Sequence, residues 1–296
     1  METIHFSFYE KQKKKLALGI GKFDGLHLGH RAILGKILDE SGRNSLIPAV
    51  FTFRNFPVEF KIYGWEEKKI LLQQSGIELC IWCDFDEICS MKAEEFLDMI
   101  SAMGTEIIAV GSNFHFGAER KGNISLLKKS MHEKGFRLFS VPPEKKNGEV
   151  VSSTKIRSFI KHGEMEKAND FLGRVFSVEG KVIQGIKKGT YLGFPTANLL
   201  LSNKVHISEG IYAGRVEYNG RLYSAAINIG DSPTFEEKEK KFEAFILDFN
   251  GDLYGKTLRV YLFKKIREIE KFSSEDELKK RISADIKQIH KILAGL

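Results

Sequence analysis

Leu16-Ala17-Leu18-Gly19-Ile20-Gly21-Lys22-Phe23-Asp24-Gly25-Leu26-His27-Leu28-Gly29-His30 runs from an apolar segment through a glycine turn into a helix. The continuous apolar start suits a strand covered on both faces. Lys22 to Gly25 carries turn chemistry, and apolar residues then recur at helical spacing over residues 29–40. Strand-like runs return at 46–53, 79–83, 106–110 and 137–141, with helical patterns at 93–103 and 124–134. Strands alternating with helices over about 170 residues predict a mostly parallel α/β sheet with helices on both faces.

After Leu172-Gly173 the texture changes to short β-rich runs broken by Gly and Asn. Asn219-Gly220 and Asn250-Gly251 each separate two such runs, a hairpin signal. The second half therefore reads as an antiparallel barrel. It closes with a helix started by Ser273-Ser274-Glu275-Asp276 and running to about residue 293. The 296 residues, at about 150 per domain, thus divide into 1–172 and 173–296.

The composition, 42% hydrophobic with 6 Pro, excludes a disordered or collagen-like chain. The charge of +7 (46 Lys+Arg against 39 Asp+Glu) is diffuse. Its densest clusters, Lys13 to Lys15, Lys128-Lys129 and the run from Glu236 to Lys241, read as solvated faces. RNA binding has only that charge behind it. Cys80, Cys83 and Cys89 lack a fourth ligand and are expected as buried, reduced thiols. No apolar run approaches the roughly 18 residues of a membrane span, and the first residues lack the pattern of a signal peptide. A cytoplasmic protein with small-molecule partners, no membrane association and at most weak self-association is expected.

Three clusters in the first half carry chemistry. Gly21, Phe23, Asp24, Gly25 and Gly29 form a loop after a strand, where open α/β sheets bind ligands. Glycines let backbone approach a phosphate, and the helix start offers unpaired N–H groups to an anion. His27 and His30 can both donate to that anion. A glycine turn with two ordinary surface histidines is the competing reading; two histidines in one such loop argue against it. Ser153 and Thr154, followed by Lys155 and Arg157, open a helix and make a second phosphate seat. Taken alone those hydroxyls would only cap. Val110-Gly111-Ser112-Asn113-Phe114-His115-Phe116-Gly117 offers Asn113 to a ribose or phosphate.

In the second half, the Gly185 to Asn198 loop contains Lys187, Lys188 and Gly189, able to cradle phosphate, and Thr196 and Asn198, whose oxygens suit Mg²⁺. By itself Pro195-Thr196-Ala197-Asn198 could equally be a turn.

Taken in order, the G-x-F-D-G-x-H-x-G-H loop, the V-G-x-N-F-x-F-G segment and S-S-T-x-I-R resemble the adenylyltransferase module of the bacterial bifunctional riboflavin kinase/FAD synthetase family. The Gly-Phe-Pro-Thr-Ala-Asn loop, Asn228 to Phe235, Phe242 to Phe249, Asp252 to Gly255 and Arg267 to Phe272 resemble its riboflavin kinase domain. The resemblance implies a Rossmann-like nucleotidyltransferase domain and then a six-stranded antiparallel barrel with a C-terminal helix. It implies phosphorylation of riboflavin to FMN by ATP, then transfer of AMP from a second ATP to FMN, giving FAD and pyrophosphate, with Mg²⁺ at the sites. On that resemblance His27, His30 and Arg157 stabilise charge on the α-phosphorus, and Asn113 binds phosphate or ribose. Glu243 is the general base of the kinase, and Thr196 and Asn198 hold Mg²⁺ and ATP phosphate.

Two places depart from the family pattern. Gly189-Thr190-Tyr191-Leu192-Gly193 lacks the usual Arg, and Phe53-Arg54-Asn55-Phe56-Pro57 replaces F-[DE]-P-H-P. The second departure motivates an alternative, a kinase whose N-terminal module only binds flavin.

Overall fold

In the computed structural model, which describes residues 1–10, 15–184, 194–231 and 240–295, the chain divides into two compact units. One comprises residues 1–59 and 63–153, the other residues 60–62 and 154–296.

The first unit is built on six parallel strands: β1 (Glu2–His5), β2 (Leu16–Ile20), β3 (Ile47–Phe53), β4 (Leu79–Cys83), β5 (Thr105–Gly111) and β8 (Arg137–Val141). They stand in the order β1-β4-β3-β2-β5-β8. Two short ribbons, β6 (His115–Phe116) with β7 (Gly122–Asn123) and β9 (Lys145–Lys146) with β10 (Glu149–Val150), occupy loops. Side chains alternate across the sheet. Leu16, Leu18, Ile20 and Phe51 face one core with Phe96, Leu97 and Ile100 of α4 (Ala93–Ala102) and Leu127 of α5 (Ile124–Lys134). Ala17 and Val50 face the other with Ile33, Leu34 and Ile37 of α1 (Leu28–Asn44) and Leu72 of α2 (Trp65–Gln74). Cores on both faces explain why all of β2 is apolar and buried.

From β2 the chain winds outward through β3 to β4, then returns to lay β5 on the other side of β2. The carboxyl ends of β2 and β5 therefore flank the point where strand order reverses, the usual ligand crevice of such sheets.

Short α3 (Phe85–Ile88) follows β4, and α6 (Ser153–His162) and α7 (Met165–Leu172) lead to the barrel. Asn169 of α7 donates from Nδ2 to the Leu262 carbonyl at 3.0 Å and accepts the Phe176 N–H at 2.7 Å, which fixes the entry into the first barrel strand.

The barrel consists of β11 (Phe176–Ile183), β12 (Ala197–Leu201), β13 (Gly210–Tyr218), β14 (Arg221–Asp231), β15 (Lys240–Ile246) and β16 (Thr257–Arg267), closed in the order β11-β12-β15-β14-β13-β16. Asn219 and Gly220, with φ of 50° and 74°, close the β13–β14 hairpin as expected. Asn250-Gly251 does not make a hairpin: β15 pairs with β12 and β14, and β16 with β11 and β13. α8 (Glu275–Ala294) starts at Ser274, whose hydroxyl accepts the Glu277 N–H at 3.2 Å, and buries Ile289 and Leu293 beside Ala213 and Leu247.

One thiol expectation is corrected. Cys80 and Cys83 are buried in β4, but Cys89, just past α3, is exposed.

Candidate functional site

The first cleft forms where the sheet reverses. Phe23 and Leu26 adopt positive φ, 47° and 40°, and their side chains are buried, so the loop is anchored by its own apolar residues. Gly25, at φ 84°, completes the turn. His27 is the N-cap of α1: its Nδ1 accepts the His30 backbone N–H at 3.4 Å, which leaves Nε2 as the ring's donor. The His27 and His30 rings stack with centroids 3.7 Å apart at 19°, and Phe23 meets His30 edge-on at 5.3 Å. Gly29 keeps this stack possible, since a Cβ there would lie 3.3 Å from His27 Cε1.

Gly21, Phe23, His27, Gly29, His30, Asn113 and Ser153 line one cleft of about 230 Å³. Asp24 is buried, and its carbonyl accepts the Ser153 hydroxyl at 2.8 Å, which ties the first residue of α6 to the histidine loop. Asp24, Gly25, Thr154 and Arg157 are not on the cleft wall. Thr154 and Arg157 follow along α6, where Arg157 Nη2 donates to Thr154 Oγ1 at 3.5 Å. Phe114 lines the cleft and stacks on Phe116 at 5.6 Å and 17°, while Phe116 enters the core. Residues 141–144, at the carboxyl end of β8, also line it and carried no motif; only their place beside β5 marks them.

Arg54-Asn55-Phe56 is held to the end of β4. Arg54 pairs through two nitrogens with Asp84 and lies over the Trp82 ring at 4.4 Å. The Asn55 backbone N–H and Nδ2 both donate to Asp84 Oδ1, at 3.1 and 3.0 Å. The Arg54 guanidinium holds the Asp84 carboxyl below the usual carboxylate range. Lys22 Nζ stands 5.3 Å from the Phe56 ring centre.

The second site lies on the outer face of the barrel. In β15, Phe242, Ala244 and Ile246 point inward and are buried, so Lys241, Glu243 and Phe245 point outward. Register places Asn198 of β12 and Asn228 of β14 directly opposite Glu243, one on each side. Asn228 Nδ2 donates to Glu243 Oε2 at 3.0 Å, and Lys241 Nζ lies 2.6 Å from Oε1. Glu243, Asn228, Lys241, Phe245, Thr196 and Arg267 line a mainly apolar cavity of about 370 Å³. An adjoining cleft of about 590 Å³ is lined by Thr196, Asn198, Asp252 and Tyr254, so Thr196 borders both. Lys241, counted from sequence with a solvated charge run, is instead a wall of the first cavity. Asn228 was recognised only as part of a segment; its contact with Glu243 follows from strand register. Lys187, Lys188, Gly189, Thr190 and residues 232–239 lie outside the described residues.

α8 roofs this cavity. Arg267 of β16 makes a bidentate bond to Asp285 of α8, with Nε at 3.0 and 3.1 Å from the two carboxylate oxygens and Nη2 at 2.7 Å from Oδ2. Both side chains are buried, at 9% and 5% exposed.

Two family models cover the chain. The one described as FAD synthetase matches residues 9–155 and the one described as riboflavin kinase matches residues 172–293. A bifunctional riboflavin kinase/FMN adenylyltransferase of Buchnera aphidicola subsp. Acyrthosiphon pisum is 35% identical, covering 92% of this chain and 91% of its own. That of Escherichia coli K12 is 34% identical over 90% of each, and that of Bacillus subtilis 30% identical over 100% and 99%. A solved Streptococcus pneumoniae structure, described as a macrolide-efflux protein, superposes with a TM-score of 0.89 at 30% identity, covering 96% of this chain and 97% of that one. Among the described residues here, no helix is long and apolar enough to cross a membrane.

Proposed function

As this chain belongs to the bifunctional riboflavin kinase/FMN adenylyltransferase family, we propose that its two sites divide the work between the histidine cleft and the outer wall of the barrel. The enzyme phosphorylates riboflavin to FMN with ATP and adenylylates FMN to FAD with release of pyrophosphate. The kinase is assigned to residues 173–296 and the adenylyltransferase to residues 1–172.

The observation that carries the kinase assignment is the row Asn198–Glu243–Asn228 across three strands. It puts Glu243 on the wall of an apolar cavity suited to a flat ring system, with its neighbour Asn198 on the wall of an adjoining cleft of mixed polarity that we assign to the triphosphate. Glu243 accepts the proton of the ribityl 5′-hydroxyl as that oxygen bonds to the γ-phosphorus; the bond to the bridging oxygen breaks and ADP leaves. Asn198 of β12 and Thr196, just ahead of that strand, present hard oxygen donors beside the adjoining cleft, a donor set that fits Mg²⁺. When bound, the ion neutralises phosphate charge; the two residues orient the triphosphate toward Glu243.

In the first cleft, attack of the FMN phosphate on the α-phosphorus of ATP needs no covalent enzyme intermediate, so positioning and charge stabilisation dominate. The stacked His27 and His30 rings line the cleft where that charge develops, and Asn113 and Ser153 line it with them as further polar groups. Arg157 keeps its assignment to this chemistry on the family resemblance alone. We place the enzyme in the cytoplasm, where ATP is made and free thiols persist. We propose a monomer or weak homo-oligomer.

The test is to incubate the chain with riboflavin, ATP and Mg²⁺ and resolve the flavins over time. FMN is expected to rise and give way to FAD; FMN accumulating alone would refute the assignment of the first cleft, and no FMN that of the second.

A further inference from the structure

Glu243 is held from two sides, and only one of those holds comes from the row of cross-strand neighbours. Lys241 stands two residues earlier on β15, hence on the same outward face. Its Nζ lies 2.6 Å from Glu243 Oε1 while Asn228 Nδ2 bonds Oε2 at 3.0 Å. The residue paired with Lys241 on β14 is Gly230, which has no side chain to crowd the ammonium: a Cβ there would find its nearest contacts at 4.0 Å, from Asn228 Oδ1 and Ile269 Cδ1. Arg267, the other strong cation of this wall, is committed to Asp285.

We propose that Lys241 is a positioning residue of the kinase site, fixing the Glu243 carboxylate in the rotamer that faces the substrate hydroxyl. The inference rests on the assignment of Glu243 as the base. With one donor on each oxygen the carboxylate cannot rotate freely, yet each oxygen keeps a second lone pair for the proton it must accept. The pair is half withdrawn from water, at 34% exposure for Lys241 and 16% for Glu243. It is therefore better shielded than a surface ion pair, which contributes little. Because Lys241 lies outside the barrel interior, its loss leaves the packed core intact.

The full-length chain is assayed for FMN formation as wild type, Lys241→Met, Lys241→Arg, Glu243→Gln and the Lys241→Met/Glu243→Gln pair, with FAD formation from supplied FMN as the measure of intact protein. Lys241→Met is expected to lower kcat for FMN about 10- to 100-fold with KM for riboflavin changed less than about 3-fold. Lys241→Arg restores most of the rate, and Lys241→Met has no further effect once Glu243 is Gln. A Lys241→Met enzyme with kcat within about twofold of wild type, or one that raises KM alone, overturns the proposal. A Glu243→Gln enzyme of full activity overturns the base assignment and the proposal with it. An inactive Glu243→Gln beside a fully active Lys241→Met overturns the role of Lys241 alone.

Discussion

His27 caps α1 through Nδ1, which accepts the His30 backbone N–H, while its ring lines the cleft. Replacing His27 and His30 together with Ala is expected to reduce FAD formation from FMN by about 10²–10³-fold while riboflavin phosphorylation continues, measured by separating the flavins. Glu243→Gln reverses the pattern, lowering FMN formation by about 10²–10⁴-fold and sparing FAD formation from added FMN. At this scale the histidine loop was legible because its chemistry is contiguous in the chain: seven predicted residues, Gly21, Phe23, His27, Gly29, His30, Asn113 and Ser153, share one cleft. The surroundings of Glu243 were not. Asn228 is fifteen residues away in sequence and meets it only through antiparallel register, and Lys241 looked like one more charge in a polar run.

Among elements, the join between β16 and α8 carries the most concentrated electrostatics of the barrel. Asp285 accepts three bonds from Arg267, and Arg281 Nε lies 3.6 Å from its Oδ1. Removing one partner of a buried pair leaves the other charge without compensation and costs about 3–5 kcal/mol. Asp285→Ala is therefore expected to lower the urea midpoint of the barrel and to weaken riboflavin binding, because α8 roofs the cavity that Arg267 and Asp285 help line; an unchanged midpoint would show the pair to be dispensable. Sequence reading located α8 and its Ser274 cap because capping is local chemistry. It misplaced Asn250-Gly251 for the complementary reason. A turn dipeptide reports a tight reversal only when the flanking strands are neighbours, and here β14 and β13 intervene between β15 and β16.

For the molecule as a whole, the thiols distinguish states of folding. Burial pushes the Cys80 and Cys83 thiols from 9.0 up to about 12, and likewise Tyr212 of the barrel from 10.0 up to about 12. The folded protein therefore keeps protons that the unfolded chain has lost. The stabilisation is complete below about pH 9 and disappears as pH climbs toward 12. The urea midpoint is expected to fall across that alkaline window, and Cys80→Ala with Cys83→Ala to flatten the fall in the first unit. Iodoacetamide at neutral pH is expected to label exposed Cys89 first and the other two only after denaturation, as mass spectrometry of the alkylated peptides would reveal.

Closure of the barrel has a bearing on synthesis. β16 is the partner of both β11 and β13, so it is the stave that joins the two open sides of the sheet. A ribosome that has not yet delivered residues 257–267 holds a chain whose β11 and β13 each expose a row of unsatisfied amides and carbonyls, the template for sticking to another copy. The sheet of the first unit draws all its strands from residues before 142 and has no such wait. During translation, the nucleotide-transfer half can therefore be sound while the phosphorylating half is still vulnerable, and stalling between residues 218 and 257 is the most hazardous interval for aggregation.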